Sequence, residues 1–591
     1  MNVGPWLNRR TCWPGLAVLL VPAGVAVVIA DQGWTRQIIV EHDQLVRMRD
    51  GVTLYADVYR PNEPGRFPAL LMRTPYDKEE SLQSGRQAFT IAAVRRGYVV
   101  VVQDARGEFK SEGEFLPYAQ ETNDGYDTIE WVAALPYVNG KVGTFGLSYP
   151  GAVQWMTAPT RPPHLVAMSP SMTFASGRHF FHYGGIFDAM WIDWLLGVQT
   201  RERRRLGLPL TTESEVDAAV QRDGDTWRHY VPLGDLPLMK PFKYWQEWVD
   251  NPVESAYWKP YDIEAQHHLV EVPALNLTGW NDDPYGQPGA IRNFTGMRKN
   301  GGSADARRGQ RLIVGPWTHG VPRLTRTTYN GVDYGPNAAI DFTEPQLRFF
   351  DYWLRGTDEG YSTEAPVRIF VMGDNIWRNE HEWPIARTVY KDLFLRTGGR
   401  LDQAPAPAGD SPESFVYDPR NVVMLPAIGS PDEGWRAAIA RRDVVTYTSD
   451  ALDRDTEVTG QILGKLWVSS SAPDTDFTMR VLDVDRDGRA RSLTVGPGTL
   501  RARYRSTEEH ATPAPLPRTQ PVELTIGVGY TSYVVPAGHR LQVLVAGSVW
   551  PNVHPNVWEP FTSMSQGVTA TNQIHHAPGR PSRVILPVIP K

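Results

Sequence analysis

Cysteine is almost absent from this chain of 591 residues, which contains only one, Cys12. Cys12 lies in an apolar segment near the N-terminus, so the sequence beyond residue 30 contains none. This absence excludes disulfide bonds, thiolate zinc sites and a cysteine nucleophile from the body of the protein.

A strongly basic surface is also missing. Acidic residues outnumber Lys and Arg by 66 to 60, and the formal net charge is −6. The sequence has no Lys/Arg cluster of the kind that follows a phosphate backbone, so we expect no nucleic-acid partner. The hydrophobic share of 41% and the charged share of 21% are those of a globular protein. The length predicts two or three domains.

Residues 1–30 differ from the rest of the chain. Arg9 and Arg10 precede the apolar run Trp13–Ala30, which ends in Val28-Ile29-Ala30. A charged start, an apolar stretch and a small-residue end predict a cleaved secretory signal peptide, and hence export to the periplasm or the exterior. The alternative is an uncleaved membrane anchor, since the run is 18 residues long. Only that form would hold the protein at a membrane.

The order of predicted elements divides the remaining chain into three parts. Residues 37–175 and 267–385 alternate strands with helices, the pattern of a parallel sheet with helices on both faces. Between them, residues 176–266 contain six tryptophans at helical spacing and no convincing strand, which predicts an inserted helical cap. Residues 386–591 show short alternating runs between turns, with few helices, and predict an all-β jelly-roll domain.

One turn in this last part, Asp483–Gly488, superficially resembles a calcium-binding loop. The twelfth position of such a loop supplies an acidic ligand, and here it is Thr494. We therefore interpret the segment as a hairpin turn.

The most informative stretch surrounds Ser148. A short apolar run ends at Gly146, Ser148 follows, and Pro150-Gly151 open a segment that can be helical. A strand-to-helix turn of this kind projects a serine hydroxyl, and glycines remove the Cβ atoms that would clash there. The usual pattern has glycine two residues after the serine, where this chain has Pro150. A glycine-rich turn with an incidental serine is therefore the alternative.

A nucleophilic serine needs a base and an acid that orients the base. Asp282 follows a predicted strand at 272–277, and His319 follows another at 311–314. Loops at the carboxyl ends of parallel strands converge on one edge of a sheet, and the chain order Ser, Asp, His is that of α/β-hydrolases. This pattern predicts Ser148 as nucleophile, His319 as base and Asp282 as acid. Asp283 is the rival for the acid.

The oxyanion that develops during such a reaction needs hydrogen-bond donors. One predicted donor is the backbone N–H of Tyr149, directly after the serine. The other comes from the loop 73–78 after an early strand, where Tyr76 offers a phenol. The alternative role for Tyr76 is packing on the sheet edge.

Five motifs stand near the ends of predicted strands: Arg-Thr-Pro-Tyr-Asp-Lys (73–78), Asp-Ala-Arg-Gly (104–107), Gly-Leu-Ser-Tyr-Pro-Gly (146–151), Gly-Trp-Asn-Asp (279–282) and Gly-Pro-Trp-Thr-His (315–319). Together they resemble the bacterial cocaine esterase and X-prolyl dipeptidyl peptidase group of α/β-hydrolases, also called CocE/NonD. This group carries Gly-x-Ser-Tyr-x-Gly, which accounts for Pro150.

The resemblance implies an α/β-hydrolase domain with an inserted helical cap and a C-terminal jelly roll. It implies Ser148, Asp282 and His319 as the triad, and the Tyr76 hydroxyl with the Tyr149 N–H as the oxyanion hole. It implies no metal and no organic cofactor. The expected partner is a small-molecule ester or amide substrate, and the sequence leaves a homo-oligomer open.

Some members of the group hold a substrate ammonium with carboxylates. At the corresponding positions this chain has Pro284, Tyr285 and the segment Gly177-Arg178-His179. A cation site needs those charges, so their absence argues against an α-amino ester substrate. Arg178 and His179 instead suit a neutral or anionic acyl group, or have a role in the core or at the surface.

Three functions follow from the sequence. The leading one is a serine esterase or acylase that works through an acyl-enzyme, and the alternative is an X-Pro dipeptidyl peptidase. A hypothesis from a different class is a glycan- or surface-binding protein whose hydrolase domain is inactive. Covalent labelling of Ser148 by a fluorophosphonate separates the enzymes from the binding protein.

Overall fold

The computed structural model describes residues 37–79, 86–228, 230, 233–282, 286–320, 324–419, 421, 423–424, 432–496, 498–505, 513–518, 520–547, 549–550 and 569–590. The predicted signal peptide at 1–30, together with Asp283, Pro284 and Tyr285, lies outside them. Within the described ranges, no helix combines the length and the apolar character that crossing a membrane requires.

The first part of the chain alternates strands and helices, as the sequence predicts. Its strands are β1 (Ile38–Arg47), β2 (Thr53–Pro61), β3 (Phe67–Thr74), β4 (Val99–Asp104), β5 (Val138–Leu147) and β6 (Leu165–Ser171), and its helices are α1 (Arg86–Arg95), α2 (Glu121–Ala133) and α3 (Tyr149–Thr157). All six residues of β4 are buried, because a central strand covered on both faces is a continuous apolar run.

The segment 172–269, here called the cap segment, is mainly helical. It contains α4 (Gly177–Phe181), β7 (His182–Tyr183), β8 (Ile186–Phe187), α5 (Trp191–Val198), α6 (Thr200–Arg205), α7 (Glu213–Arg228) and α8 (Lys243–Asp250), with 3-10 helices at Ala256–Tyr261 and Glu264–Leu269. The expectation that it contains no strand is wrong, because β7 and β8 form a short antiparallel hairpin. Gly184 and Gly185 make its turn with φ of 59° and 82°, which other residues rarely adopt.

The chain then returns to the first sheet. It adds β9 (Leu275–Gly279), α9 (Gly286–Asn300), α10 (Ala304–Arg308), β10 (Arg311–Gly315), the small hairpin β11 (Thr328–Tyr329) and β12 (Val332–Asp333), α11 (Thr343–Phe350), β13 (Val367–Val371) and β14 (Ile376–Glu380). The sheet order is β1-β2-β4-β3-β5-β6-β9-β10-β13-β14. Neighbours from β4 to β13 pair in parallel, so their carboxyl ends share one edge.

The last part of the chain forms a β-rich domain, as predicted, while its jelly-roll topology stays a prediction. Its elements are β15 (Val389–Arg396), β16 (Arg400–Asp402), β17 (Glu413–Tyr417), β18 (Val423–Met424), α12 (Asp432–Ile439), β19 (Val445–Thr448), β20 (Thr456–Ser470), β21 (Asp476–Val484), β22 (Ala490–Ser492), β23 (Gly498–Arg501), β24 (Val522–Val535), β25 (Arg540–Ala546), β26 (Val549–Trp550), β27 (Ala570–His575) and β28 (Arg583–Ile589).

The calcium-like segment in this domain is a hairpin turn, so that interpretation is confirmed. Strands β21 and β22 pair across it in antiparallel fashion. The Asp485 carboxylate accepts the backbone N–H groups of Asp487 and Arg489, at 2.9 and 2.8 Å. An aspartate that bonds to its own turn in this way stabilises the turn without a metal.

The β-rich domain is bonded to the first sheet through the backbone. Met372, just after β13, donates its N–H to Ser532 O on β24, and its carbonyl accepts the N–H of Val534, each at 2.9 Å. Nearby, the Gln287 side chain at the start of α9 donates to Tyr530 O at 2.9 Å. These bonds place β24 beside the start of α9, close to the strand ends that carry the predicted site residues.

Candidate active site

Ser148 occupies the turn between β5 and α3 in a strained conformation. Its φ is 67° and its ψ is −124°, outside the regions that non-glycine residues favour. The turn is tight, since the Ser148 carbonyl already accepts the N–H groups of Gly151 and Ala152. A Cβ at Gly146, whose φ is +146°, would lie 2.4 Å from Pro150. The proline therefore fits this turn only because Gly146 has no side chain.

Asp282 and His319 lie together at the ends of the adjacent strands β9 and β10. The Nδ1 of His319 is 2.7 Å from Oδ1 of Asp282, and the Asp282 side chain is fully buried. The second oxygen, Oδ2, accepts the hydroxyl proton of Thr278 at 2.9 Å. A carboxylate held at both oxygens presents a fixed acceptor to the imidazole.

Two glycines leave room for this pair. A Cβ at Gly279 would lie 2.1 Å from the carbonyl oxygen of Trp317, so β9 and the loop after β10 approach too closely for any side chain. A Cβ at Gly286, the first residue of α9, would lie 2.2 Å from Oδ2 of Asp282. The first contact brings the ends of β9 and β10 together, and the second shows that the start of α9 packs directly against the carboxylate.

The loop after β6 connects the Ser148 turn to the His319 loop. Ser148 donates its N–H to Ser171 O at 2.9 Å, and the next residue, Met172, donates to Leu277 O at 2.7 Å. The Sδ of Met172 accepts the N–H of Gly320 at 3.4 Å. Ser148, Asp282 and His319 thus follow three strands that end along one edge and are joined through one loop.

Tyr76 follows β3 at the same edge of the sheet. Its backbone N–H is held by the Thr74 hydroxyl at 3.1 Å, and its phenol oxygen accepts the indole N–H of Trp194 at 3.0 Å. Because the oxygen is the acceptor, this bond does not use the phenol's own proton. Sequence reasoning missed Trp194, since no pattern relates a residue of α5 to a loop 118 positions earlier.

Tyr149, the residue directly after Ser148, is anchored by its own side chain. Its hydroxyl donates to Glu121 Oε1 at 2.8 Å and accepts the N–H of Tyr118 at 3.0 Å. Its ring stacks on Tyr118 with centroids 4.3 Å apart. Burial raises the pKa of Tyr149 well above its usual range, and the Glu121 carboxylate adds to this effect. The phenol therefore stays a neutral donor.

A buried ion pair supports this anchor. Arg73, near the end of β3, contacts Glu121 through its guanidinium and donates from Nε to Gln103 Oε1 at 2.8 Å. Both partners of the ion pair are nearly inaccessible to solvent. The pair thus links β3, the strand before Tyr76, to Glu121, which accepts the hydroxyl proton of Tyr149. Sequence reasoning noted the motif that contains Arg73 but did not assign this positioning role.

The structure separates Arg178 from His179. The Arg178 side chain is buried, donates to Val253 O at 2.6 Å and faces Asp262 at 3.8 Å. His179 instead lines a cavity of about 390 Å³ between the cap segment, α9 and the β-rich domain, together with Gln287 and Tyr530. Arg178 therefore has a core role, whereas His179 faces the cavity.

Known proteins resemble this chain along most of its length. Residues 50–321 match the X-Pro dipeptidyl-peptidase (S15 family) domain, and residues 359–585 match the X-Pro dipeptidyl-peptidase C-terminal non-catalytic domain. Cocaine esterase from Rhodococcus sp. is 34% identical over 580 residues, which cover 92% of this chain and 98% of that protein. The chain belongs to the S15 family of serine hydrolases. The resemblance read from its motifs is thereby confirmed.

Solved structures of other hydrolases share the fold of this protein. An α-amino acid ester hydrolase superposes with a TM-score of 0.76 at 24% identity, covering 95% of this chain and 98% of that one. A CocE/NonD family hydrolase from Staphylococcus aureus gives 0.71 at 22% identity, covering 98% and 99%. The α/β-hydrolase fold with a C-terminal β-rich domain is thus shared along the length of this S15-family chain.

Proposed function

We propose that this S15-family protein hydrolyses a small carboxylic ester or amide through Ser148, His319 and Asp282. The observation that carries the proposal is the buried Asp282 carboxylate 2.7 Å from Nδ1 of His319, at the same sheet edge as the strained Ser148 turn. With Nδ1 held by Asp282, the second ring nitrogen, Nε2, is the one that takes the serine proton.

The reaction proceeds in two halves. Ser148 Oγ attacks the carbonyl carbon while Nε2 of His319 takes its proton, and the carbonyl oxygen becomes an oxyanion. The intermediate collapses as His319 returns the proton to the alcohol or amine, which leaves an ester on Ser148. Water then attacks that ester, again giving its proton to His319, and the acid departs as the serine is re-protonated.

The oxyanion is stabilised by the Tyr149 N–H and the Tyr76 hydroxyl. The Glu121 bond fixes the first donor, and the Trp194 bond orients the second without consuming its proton. Preorganised donors of this kind stabilise the transition state without a reorganisation cost, and each is worth roughly 10²–10³ in kcat.

Some members of the group bind a substrate ammonium with carboxylates, and this chain has Gly177-Arg178-His179, Pro284 and Tyr285 at the corresponding positions. A cation site needs those charges, so their absence supports a neutral or anionic acyl group. This favours an esterase or acylase. The matched family descriptions favour X-Pro dipeptidyl peptidase activity as the second candidate. Release of an X-Pro dipeptide from an anilide separates the two.

The decisive variant is Ser148→Ala. We expect it to lose turnover of a short-chain p-nitrophenyl ester and labelling by a fluorophosphonate while its melting temperature stays close to that of the wild type. The matched control is Ser414→Ala, at an exposed serine of β17. Labelling that persists in Ser148→Ala, or turnover equal to the control, would show that another residue is the nucleophile.

Export is part of the proposal. The arginines and apolar run of residues 1–30 support a cleaved secretory signal. Mass spectrometry of the protein secreted by an expressing bacterium should find a new N-terminus at Asp31. Recovery of the intact N-terminus in the membrane fraction would support the anchor instead.

A further inference from the structure

A second cavity, of about 400 Å³, lies at the amino ends of β9, β10 and β13, the ends that face away from the Ser148 edge. It is lined by the first residues of β9 and β10 and by Arg368 near the start of β13. His319 follows the other end of β10, and the strand rise of about 3.3 Å per residue separates the two ends by about 13 Å. This cavity is therefore distinct from the proposed active site.

Two arginines share the sheet face that forms its floor. In the parallel register Ile313 pairs with Arg368, and Arg311 lies two residues before Ile313. Side chains at such positions point to the same face, and their Cα atoms lie about 8 Å apart. Asn379 on β14 pairs with Arg368 and adds an amide to the same face.

Aromatic rings hold both guanidinium groups. The Cζ of Arg311 lies 4.8 Å from the ring centroid of Tyr361, and that of Arg368 lies 4.6 Å from the ring of Trp377. Stacking of this kind orients the planar group while leaving its N–H edge available.

Neither arginine has a carboxylate partner within the described part of the chain. Arg311 reaches only two backbone carbonyls, those of Gln310 at 3.3 Å and Tyr361 at 3.5 Å. Its Nε is buried and, among the same residues, has no hydrogen-bond acceptor. Desolvation lowers the pKa of Arg368, and the charge of Glu364 offsets this in part. Arg368 is exposed to solvent and remains charged.

The two carboxylates in the cavity wall are already paired with other arginines. Glu344 binds Arg96 at 2.7 Å, and Glu364 binds Arg348 at 2.5 Å. After these pairs are matched, Arg311 and Arg368 are left without an ion pair among the described residues. Leucine and isoleucine side chains, Leu275 and Ile313, complete the floor with apolar surface.

We propose that this cavity binds a small organic dianion, a dicarboxylate or a phosphate monoester, which both Arg311 and Arg368 contact. The guanidinium fork matches carboxylate and phosphate oxygens in a bidentate way. The apolar floor favours an organic ligand over an inorganic ion, and the volume suits a metabolite-sized molecule. Its position identifies the ligand as a second ligand of the enzyme rather than as its substrate.

Isothermal titration calorimetry of the full-length protein at low ionic strength tests the proposal. Glutarate and glycerol 3-phosphate serve as the dianions, and acetate at matched ionic strength is the monoanion. We expect at least one dianion to bind at least 10-fold more tightly than acetate, and to bind equally well after Ser148 is blocked with a fluorophosphonate. The dianion that binds more tightly shows whether the site prefers a dicarboxylate or a phosphate monoester.

Variants then assign the site. Arg311→Gln and Arg368→Gln should each weaken dianion binding at least 10-fold and leave ester turnover unchanged. The control is Arg489→Gln, at an exposed arginine in the turn before β22. If a glutamine variant folds poorly, Arg311→Lys and Arg368→Lys replace it. These variants keep the positive charge and test whether binding needs the bidentate guanidinium group. The proposal is wrong if no dianion exceeds acetate, if blocking Ser148 abolishes binding, or if the variants bind like the control.

Discussion

Replacing Trp194 by phenylalanine removes the indole N–H that donates to Tyr76 at 3.0 Å and keeps most of the ring packing. The Trp194 ring lies 6.1 Å from the rings of both Tyr118 and Tyr149, distances at which a smaller ring still contacts them. The change therefore acts mainly on the orientation of the Tyr76 phenol. We expect kcat to fall with little change in KM, because the oxyanion exists only in the transition state.

The size of the effect follows from the bond that is lost. A neutral hydrogen bond contributes about 0.5–1.5 kcal/mol net, which corresponds to a fall in kcat of about 2- to 10-fold. Tyr76→Phe removes the proposed oxyanion donor itself and should lower kcat roughly 10²–10³-fold. Once the phenol is gone, the indole has no hydroxyl to orient, so the double variant should be no slower than Tyr76→Phe alone.

Steady-state hydrolysis of a p-nitrophenyl ester by the two single variants and the double variant forms a double-mutant cycle. The control is Trp245→Phe, which also removes a buried indole hydrogen bond, to Leu233 O at 3.3 Å in the cap segment. We expect the control to keep wild-type kcat. Additive losses from Trp194→Phe and Tyr76→Phe, or an equal loss in Trp245→Phe, would refute the orienting role of Trp194.

Three further changes test the site and its surroundings. Asp282→Asn should lower kcat by about 10³–10⁴-fold, since it removes the charge that fixes the imidazole and stabilises its protonated form. Gly286→Ala would place a Cβ 2.2 Å from Oδ2 of Asp282, so kcat should fall at least 10-fold, whereas Gly197→Ala, with no atom within 4 Å, should leave it unchanged. Burial raises the pKa of Asp104 from 3.8 to about 7, so its contribution to stability is present below pH 4 and lost as pH rises through 7. Asp104→Asn can still accept the Lys78 backbone N–H, bound at 2.7 Å, and calorimetry should find a flatter fall in melting temperature over that range. An unchanged pH slope would contradict the assignment of a buried, protonated Asp104.

The fold was predictable wherever burial imposes a simple pattern. The run of valines in β4 predicts a buried strand, and the glycines around Ser148 predict a tight turn after β5. The structure contains both. The short hairpin β7–β8 was not predictable, because two-residue strands carry no periodicity and depend on Gly184 and Gly185. A Cβ on Gly184 would lie 1.9 Å from Thr499 O, a contact with a strand more than 300 residues away.

The supporting residues of the site had little local signal. Thr278 lies only four positions before Asp282, yet nothing in the sequence indicates that its hydroxyl bonds to the carboxylate. Trp194 resembles any other tryptophan of the cap segment until the fold brings it against Tyr76. Arg178 and His179 are neighbours in sequence, but one turns into the core and the other faces a cavity.

The sequence by itself determined the family, the alternating fold and the residues proposed for catalysis, because strand ends and tight turns are encoded within a few neighbouring positions. Only the tertiary structure decided which side chains hold those residues and which arginines lack an ion pair within the described part of the chain. The Tyr76–Trp194 bond joins residues 118 positions apart, and Arg311 and Arg368 meet on one face through strand register. Such contacts depend on the packing of whole elements, which no short stretch of sequence specifies.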